Sequence, residues 1–159
     1  MWVDYQRVMD TPIGKITLHS DGKRIRALEF GAAEERQDAL DVLLQAEREL
    51  TEYFAGRRSA FSVPLCIHGS PWQKAVWQAV AQIPYGQTAS YKDIAAQLEN
   101  PKACRAVGAA NNRNPLPIFI PCHRVVGTKG ELTGYAGGLS VKQFLLELEE
   151  KHGEISGNG

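Results

Sequence analysis

Short runs of β-prone residues, in which apolar and polar positions alternate, make up the first part of the chain. In "YQRVMDTPIGKITLHSDGKRIRALEF" the runs are separated by "TPIG" and "SDGK", two typical turn sequences. This pattern predicts a small antiparallel sheet over residues 5–30. Residues 33–54 then have the apolar spacing of one long helix that ends before Gly56, and "AFSVPLCI" at residues 60–67 predicts another strand.

The pattern becomes helical after residues 68–70, which we therefore take as the boundary between two domains. Ser70 as N-cap, Pro71 at the first helical position and Gln73 form a capping box, which is a sequence signature of a helix start. This helix is predicted to end at Pro84. Its apolar stripe consists of Trp72, Val76, Ala79, Val80 and Ile83.

Two short helices follow. "SYKD" at residues 90–93 is a second capping box and predicts a helix to about Leu98. "NP" at residues 100–101 predicts the start of a third helix, which extends to about Asn111. Two short helices joined by a brief turn are typical of a helix-turn-helix, and we expect one here.

One more helix is predicted for "GLSVKQFLLELEEKHG" near the end of the chain. Ser140 and Gln143 form its capping box. Its apolar stripe consists of Val141, Phe144, Leu145 and Leu148.

The third predicted helix has small side chains on the face that we expect to be exposed. With about 100° per residue, one side of the helix groups four residues that can pack on the protein: Ala103, Ala106, Val107 and Ala110. The opposite side consists of Cys104, Arg105, Gly108 and Ala109. Tight packing against another helix is the commoner reason for such a face. It also fits a helix in the minor groove of DNA, with Arg105 projecting into the base stack.

The net charge is zero, but the basic residues are concentrated in the middle of the chain. Residues 70–130 carry seven basic and two acidic side chains, residues 1–69 carry nine and eleven, and residues 131–159 carry two and five. This excess is a modest indication of a polyanionic partner, and an uneven solvated surface gives the same pattern. Membrane-span and secretory-signal patterns are both missing, so we expect a cytoplasmic protein without a membrane partner.

The three cysteines are Cys66, Cys104 and Cys122. Their odd number and wide spacing argue against a disulfide framework and fit a reducing compartment. No CxxC pair is present, and Cys66 with His68 alone is too small a ligand set for zinc, so we predict no metal site.

Cys122 lies in "IPCHRVVG", directly before His123. A neighbouring base can generate the thiolate, which is the reactive form of cysteine. At a turn the two side chains can meet, directly or through a water molecule. Either Glu147 or Glu149 of the last helix could then orient His123. The residues by themselves leave open whether Cys122 is a nucleophile or an inert buried thiol.

Several motifs occur together and in one order: "IPYGQTASY", "NPKACRAVGAANNRNPLPI", "PCHRVVG" and "TGYAGG…K…LLELE". The chain resembles the O6-alkylguanine-DNA alkyltransferases, the methylated-DNA–protein-cysteine methyltransferases, over roughly residues 70–150. The resemblance implies a mixed α/β (α+β) fold. Its N-terminal domain, residues 1–69, is expected to be ribonuclease-H-like, with an antiparallel sheet and a helix. Residues 70–153 are expected to form a mostly helical, winged-helix-like domain with the helix-turn-helix, followed by a flexible tail at residues 154–159.

The resemblance implies DNA repair by irreversible, single-use transfer of an alkyl group from O6 of guanine to Cys122. O4-methylthymine is a second candidate substrate. His123 is implied to act as base through a water molecule, and Glu149 to orient it. Asn114 is implied to brace the turn before the active-site loop, and Tyr91 to flip and hold the nucleotide.

Further residues are implied to contact DNA or the base. Arg105 fills the place of the flipped base, while Val125 and the segment from Tyr135 to Gly138 wall the pocket. The other implied contact residues are Cys104, Ala106, Gly108, Ala109, Asn111, Pro121, Ala136 and Gly137. Ala136 stands where some members have serine, and Cys104 where alanine is common.

The implied partner is double-stranded DNA that contains O6-alkylguanine. We expect a monomer, with or without cooperative binding along DNA, and no metal or organic cofactor. Two other interpretations stay open: a lesion-binding alkyltransferase-like protein without transfer, and a Cys–His hydrolase. Relatives of the first kind replace the cysteine that this chain keeps as Cys122, and a hydrolase needs an oxyanion hole for which the sequence has no separate signal.

Overall fold

A computed structural model describes residues 4–153 and begins with a three-stranded antiparallel sheet. Strands β1 (Tyr5–Thr11), β2 (Gly14–Ser20) and β3 (Ile25–Phe30) lie in sequence order. Met9 pairs with Ile16 across β1 and β2, so their apolar side chains share one face of the sheet. The sheet predicted for residues 5–30 is confirmed.

The long helix predicted for residues 33–54 is only partly correct, because helix α1 spans Asp41–Phe54. The residues before it run along the free edge of β1 instead. The Val8 amide donates to the Arg36 carbonyl at 3.0 Å, and the Asp38 amide donates to the Gln6 carbonyl at 2.9 Å. Pairing with an exposed strand edge satisfies these backbone groups and prevents the helix from starting earlier.

The strand predicted for residues 60–67 is reduced to an isolated bridge between Ile25 and Leu65. The Ile25 amide donates to the Pro64 carbonyl at 2.9 Å, and the Cys66 amide donates to the Ile25 carbonyl at 2.8 Å. Pro64 has no amide hydrogen to extend the ladder, which limits a strand at this position.

Helices α2 (Pro71–Ala81) and α3 (Tyr91–Gln97) both begin with the predicted capping boxes, at Ser70 and Ser90. A short strand, β4 (Ala89–Ser90), directly precedes α3 and pairs in parallel with β5 (Val125–Val126). This pairing holds the start of α3 beside the segment that contains the "PCHRVVG" motif.

Helix α4 (Cys104–Asn112) begins a few residues later than predicted. The Ala103 amide donates to the Asn100 carbonyl at 3.0 Å in a turn, and Glu99 before it has a φ of 59°. This turn occupies the positions after Asn100 that the "NP" signal assigned to the helix. The helix-turn-helix is therefore formed by α3 and α4, with a longer connection than expected.

The last helix, α5 (Leu139–Lys151), begins after Gly138, whose φ of 95° suits glycine. The capping box predicted at Ser140 is wrong, because Ser140 is already inside the helix and no side chain caps its start. The tail predicted for residues 154–159 lies outside the described residues.

One continuous apolar core joins the sheet, α1 and the later helices. Ile16 and Leu18 of β2 pack with Leu43 of α1, while Val76 of α2 and Val107 of α4 belong to the same cluster; all five have no exposed surface. The mixed α/β class is confirmed. Between residues 4 and 153, none of the helices has the length and apolar character needed to cross a membrane.

Candidate active site

Asn114 shapes the turn that leads from α4 to Cys122. Its side-chain amide donates to the Ile120 carbonyl at 2.9 Å, and its Oδ1 accepts from the Leu116 amide at 2.9 Å. Ile118, between these two contacts, has a φ of 76°, which is costly for a β-branched residue. The buried Asn114 side chain therefore offsets backbone strain in the segment that delivers Cys122.

Cys122 opens a short 3₁₀ turn, Cys122–Arg124, and is only 5 % exposed. Burial raises the pKa of its thiol to about 11, despite the opposing influence of the Asn114 side chain, the Lys142 charge and the Tyr135 hydroxyl. The resting sulfur is therefore a neutral thiol at neutral pH. A base is needed before it can act as a nucleophile.

His123, the next residue, has no exposed surface. Its Nε2 lies 2.6 Å from Oε2 of Glu149. A carboxylate at this distance assigns the hydrogen to Nε2, which leaves the lone pair on Nδ1. Nδ1 is buried and finds no hydrogen-bond partner within residues 4–153. Burial lowers the pKa of His123, so the ring is neutral at neutral pH and Nδ1 can accept a proton.

Glu149 is the centre of a buried network. Its carboxylate accepts hydrogen bonds from Tyr53, His123, Gly86 and twice from Arg124, at 2.5–3.2 Å. Burial alone would raise the pKa of this carboxyl, but His123 and Arg124 outweigh burial and bring the pKa down to about 2. The ionised carboxylate is thus fully satisfied, although Glu149 is 1 % exposed.

The choice between the two glutamates of α5 follows from this network. Glu147 is exposed and accepts only a hydrogen bond from Gln143 at 3.0 Å. Glu149 faces inward and contacts His123. The structure therefore brings His123 and Glu149 into contact, and Cys122 directly precedes His123 in the same buried turn.

Lys142 and Arg124 have no role among the sequence-based predictions, although both lie inside the quoted motifs. Lys142 has no exposed surface, and its ammonium donates to the Thr133 carbonyl at 2.7 Å. It lies two helical turns before Glu149, a spacing that places both side chains on the same face of α5. Arg124 also donates to the Ile83 carbonyl at 2.7 Å. The helical spacing was the available signal for Lys142, whereas nothing in the sequence indicated that Arg124 is buried.

A cleft of about 370 Å³ lies between α3, α4 and the loop at residues 127–134. Lys92 and Arg105 line it and give it a positive character, and Arg105 is exposed. Tyr91 at the start of α3 also lines it, with its hydroxyl 2.7 Å from Oγ1 of Thr133. Tyr91, Cys104, Arg105 and Gly108, all predicted to contact DNA or the nucleotide, line this cleft.

The face of α4 that packs on the protein is rotated from the predicted one. Its buried residues are Val107, Ala110 and Asn111. Ala106, expected to pack inward, is exposed, and its backbone carbonyl accepts a hydrogen bond from the Trp72 indole of α2 at 3.1 Å. Asn111, expected to contact DNA, is 2 % exposed and donates to the Cys122 carbonyl at 3.2 Å. Its side chain is turned toward the active-site loop instead of the outer surface.

The remaining predicted residues fall into two groups. Cys104, Gly108 and Ala109 lie on the outer side of α4, half-buried or exposed. The predicted pocket wall is nearer to the sulfur: Pro121 and Val125 are buried, and Tyr135 packs edge-on against Phe30 with ring centroids 5.7 Å apart. The Tyr135 hydroxyl is buried and faces the Cys122 thiol, whose pKa it lowers. Ala136 and Gly138 are exposed, with Gly137 half-buried between them.

Cys66 lies 3.1 Å from Nε2 of His68 in the N-terminal part. Residues 4–153 contain no cluster of three or more histidine, cysteine, aspartate or glutamate side chains that could hold a metal ion. The Cys66–His68 pair is therefore short of the ligands that a structural zinc site requires.

Comparison with known proteins places this geometry in a family. Residues 5–67 match the model described as "6-O-methylguanine DNA methyltransferase, ribonuclease-like domain". Residues 71–151 match "6-O-methylguanine DNA methyltransferase, DNA binding domain". Together these two matches account for most of the chain.

Named relatives and solved structures agree with these matches. The methylated-DNA–protein-cysteine methyltransferase of Methanosarcina barkeri is 44% identical over 155 residues, covering 93% of this chain and 98% of its own. The constitutive enzyme of that name from Bacillus subtilis is 45% identical, with 92% and 96% covered.

The crystal structure of the Mycobacterium tuberculosis O6-methylguanine methyltransferase superimposes with a TM-score of 0.86, at 41% identity and 94% coverage of both chains. A second structure, Mycobacterium tuberculosis OGT in complex with DNA, has a TM-score of 0.84 at 42% identity, with 92% of this chain and 93% of that chain covered. Sequence and fold agree over nearly the whole chain, which therefore belongs to the 6-O-methylguanine DNA methyltransferase family.

Proposed function

We propose that the protein repairs DNA by moving the alkyl group of O6-alkylguanine onto its own Cys122. The observation that carries this proposal is the buried arrangement of Cys122, His123 and Glu149, in which Nδ1 of His123 is free to accept a proton. Family membership supports alkyl transfer to a cysteine, because the relatives are named methylated-DNA–protein-cysteine methyltransferases.

In the transfer, His123 takes the thiol proton at Nδ1, directly or through a water molecule, and the Cys122 sulfur attacks the alkyl carbon. The new S–C bond forms as the bond between that carbon and O6 breaks. The departing guanine takes up one proton at a ring nitrogen from solvent and the His123 imidazolium releases one to solvent, so the thiol proton is balanced and His123 returns to its neutral form. The thioether product does not hydrolyse readily, which makes each molecule a single-use acceptor.

The ionised Glu149 supports this proton transfer. It holds His123 in the tautomer that has a lone pair on Nδ1, and it stabilises the imidazolium that forms. The neighbouring Lys142 charge favours the Cys122 thiolate, which counteracts part of the effect of burial. No step of this scheme requires a metal ion or an organic cofactor.

The DNA partner is supported by the complex of the Mycobacterium tuberculosis relative with DNA. We place duplex DNA across the cleft beside α3 and α4, where Lys92 and Arg105 supply positive charge. The small side chains on the outer side of α4 suit the minor groove, and Arg105 is exposed and can replace an extruded base. The Tyr91 hydroxyl then leaves Thr133 and contacts the flipped nucleotide.

The two proposed domains are consecutive segments of the chain and have different roles. Residues 70–153 form the DNA-binding and alkyl-transfer domain, and residues 1–69 form a ribonuclease-H-like domain that packs against it. The two family matches at residues 5–67 and 71–151 support this division. The alternative of lesion binding without transfer is disfavoured, because the chain keeps both Cys122 and its buried base.

Intact-protein mass spectrometry tests the proposal. After incubation with a duplex that contains one O6-methylguanine, the protein is expected to gain one methyl group in place of one hydrogen. Cys122→Ala is expected to gain nothing. Cys66→Ala is a matched control, because Cys66 also lies beside a histidine, and it should be methylated normally. Absence of the gain in the unmodified protein, or its persistence in Cys122→Ala, contradicts the proposal.

A further inference from the structure

We propose that Tyr53, from helix α1 in the N-terminal part of the chain, is a positioning residue for the alkyl transfer. Its hydroxyl holds the Glu149 carboxylate that orients His123. The inference rests on the proposed function and extends it, because it assigns a part of the reactive network to the domain that carries none of the motifs around Cys122.

The contact is direct and buried. The Tyr53 hydroxyl donates to Oε2 of Glu149 at 2.5 Å, and Tyr53 has no exposed surface. The same oxygen, Oε2, lies 2.6 Å from Nε2 of His123. This oxygen thus accepts from Tyr53 and His123, and also from Nη2 of Arg124 at 3.0 Å, so the tyrosine reduces the negative charge that is left for the imidazole.

The hydroxyl is available as a donor at all ordinary pH values. Burial, together with the nearby Glu149 charge, raises the pKa of Tyr53 well above its usual value. The ring is fixed by edge-on or tilted contacts with Phe54, Phe61 and Tyr85, at centroid distances of 5.4, 5.5 and 6.2 Å. A hydroxyl on a ring that is held in this way constrains the carboxylate more than a mobile side chain would.

Tyr85 provides a matched control in the same cluster. Its hydroxyl is buried and has no hydrogen-bond partner in the portion of the chain that the structure describes. Its ring packs against Tyr53 and lies 5.7 Å from the Arg124 guanidinium. Tyr85→Phe therefore removes a nearby buried hydroxyl without removing a hydrogen bond to Glu149.

The rate of alkyl transfer from an O6-methylguanine duplex is the first measurement. The hydroxyl fixes the carboxylate that orients His123, so Tyr53→Phe should misplace the imidazole and slow the transfer about tenfold, although the imidazole becomes more basic. Tyr85→Phe should stay within about twofold of the unmodified protein. With free O6-benzylguanine as substrate, the ratio of the variants' transfer rates should be the same, because the Tyr53 hydroxyl does not affect DNA binding.

The pH dependence of that rate separates positioning from a general loss of packing. The charged groups that face His123 are Glu149, Arg124 and Lys142, and Tyr53 acts on Glu149. Without the Tyr53 hydroxyl, the carboxylate attracts the imidazolium more strongly and the pKa of His123 rises. The acidic limb of the rate profile, where His123 becomes protonated, should therefore move to higher pH in Tyr53→Phe and stay in place in Tyr85→Phe.

Proton NMR of the unmodified protein and of both variants gives a second measurement. The short contact between His123 and Glu149 should give a low-field imidazole resonance, identified by its loss in Glu149→Gln. In Tyr53→Phe this resonance should shift, and in Tyr85→Phe it should not. If Tyr53→Phe does not fold, the unmodified protein is tested instead for an NMR contact between the Tyr53 hydroxyl proton and the His123 ring. The absence of that contact overturns the inference.

The outcomes distinguish this inference from the proposed function. If the unmodified protein gains no methyl group, the proposed function fails. If it is methylated but Tyr53→Phe matches it in rate, pH profile and resonance, only the role of Tyr53 fails. Equal slowing in both phenylalanine variants also overturns that role, because it indicates packing of the cluster rather than the hydrogen bond to Glu149.

Discussion

Replacing Glu149 by glutamine should destabilise the protein by about 3–5 kcal/mol at neutral pH. The substitution keeps the size of the side chain but removes the charge that compensates a buried guanidinium. Arg124 is 6% exposed and donates to Glu149 at 2.8 and 3.0 Å, so its positive charge would remain buried without a carboxylate. An amide also brings its own hydrogens into a site whose neighbours, Tyr53, His123 and Gly86, point hydrogens at it.

The pKa of Glu149 gives an independent magnitude. It falls from 4.5 to about 2 on folding. Each unit of a pKa difference corresponds to about 1.4 kcal/mol, so the ionised carboxylate contributes roughly 3 kcal/mol at neutral pH. Because the folded pKa is the lower one, this stabilisation is complete above the unfolded value and is lost as the pH falls through the folded value. The difference between the unmodified protein and Glu149→Gln should narrow over that acidic range.

Urea unfolding followed by fluorescence measures both effects, at neutral pH and at a series of acidic pH values. Glu147→Gln is the matched control, because Glu147 lies on the same helix and is exposed; it should change the free energy of unfolding by less than about 0.5 kcal/mol. The reasoning is refuted if Glu149→Gln costs no more than Glu147→Gln at neutral pH. It is also refuted if the cost of Glu149→Gln stays constant down to the folded pKa.

Two further substitutions probe DNA engagement and the thiol. Arg105→Ala should slow repair of duplex O6-methylguanine at least about tenfold but leave the reaction with free O6-benzylguanine nearly unchanged. Arg48→Ala, which removes another exposed arginine, serves as the control. If Arg105→Ala slows the reaction with both substrates equally, Arg105 does not replace the extruded base. Lys142→Met should raise the pKa of Cys122 and slow its reaction with iodoacetamide about tenfold at mildly alkaline pH, measured by mass mapping of the Cys122 peptide. Lys151→Met, on the exposed side of the same helix, should have no effect, and an unchanged Lys142→Met would show that its charge does not reach the sulfur.

Local signals in the sequence predicted much of the fold correctly. The turn sequences around Gly14 and Gly22 and the capping boxes at Ser70 and Ser90 act through neighbouring residues, so they specify the strands and helices that they border. Local signals gave a wrong prediction where a segment distant in sequence offered the backbone other hydrogen-bond partners. Residues before Asp41 pair with β1 instead of extending the helix, and no local pattern shows that β1 has a free edge.

The sequence by itself determined which chemistry is present: a cysteine followed by a histidine, inside motifs that resemble one family, in a basic segment that also contains a helix with a small-residue face. Helical spacing alone left both Glu147 and Glu149 open, and only the family resemblance pointed to Glu149. Nothing in the sequence revealed that Tyr53, 96 residues before Glu149, reaches the same carboxylate. Those outcomes depend on how α1, α5 and the Cys122 turn pack around one buried charge. Because a buried carboxylate must be satisfied from every side, only the tertiary structure decides which side chains surround it.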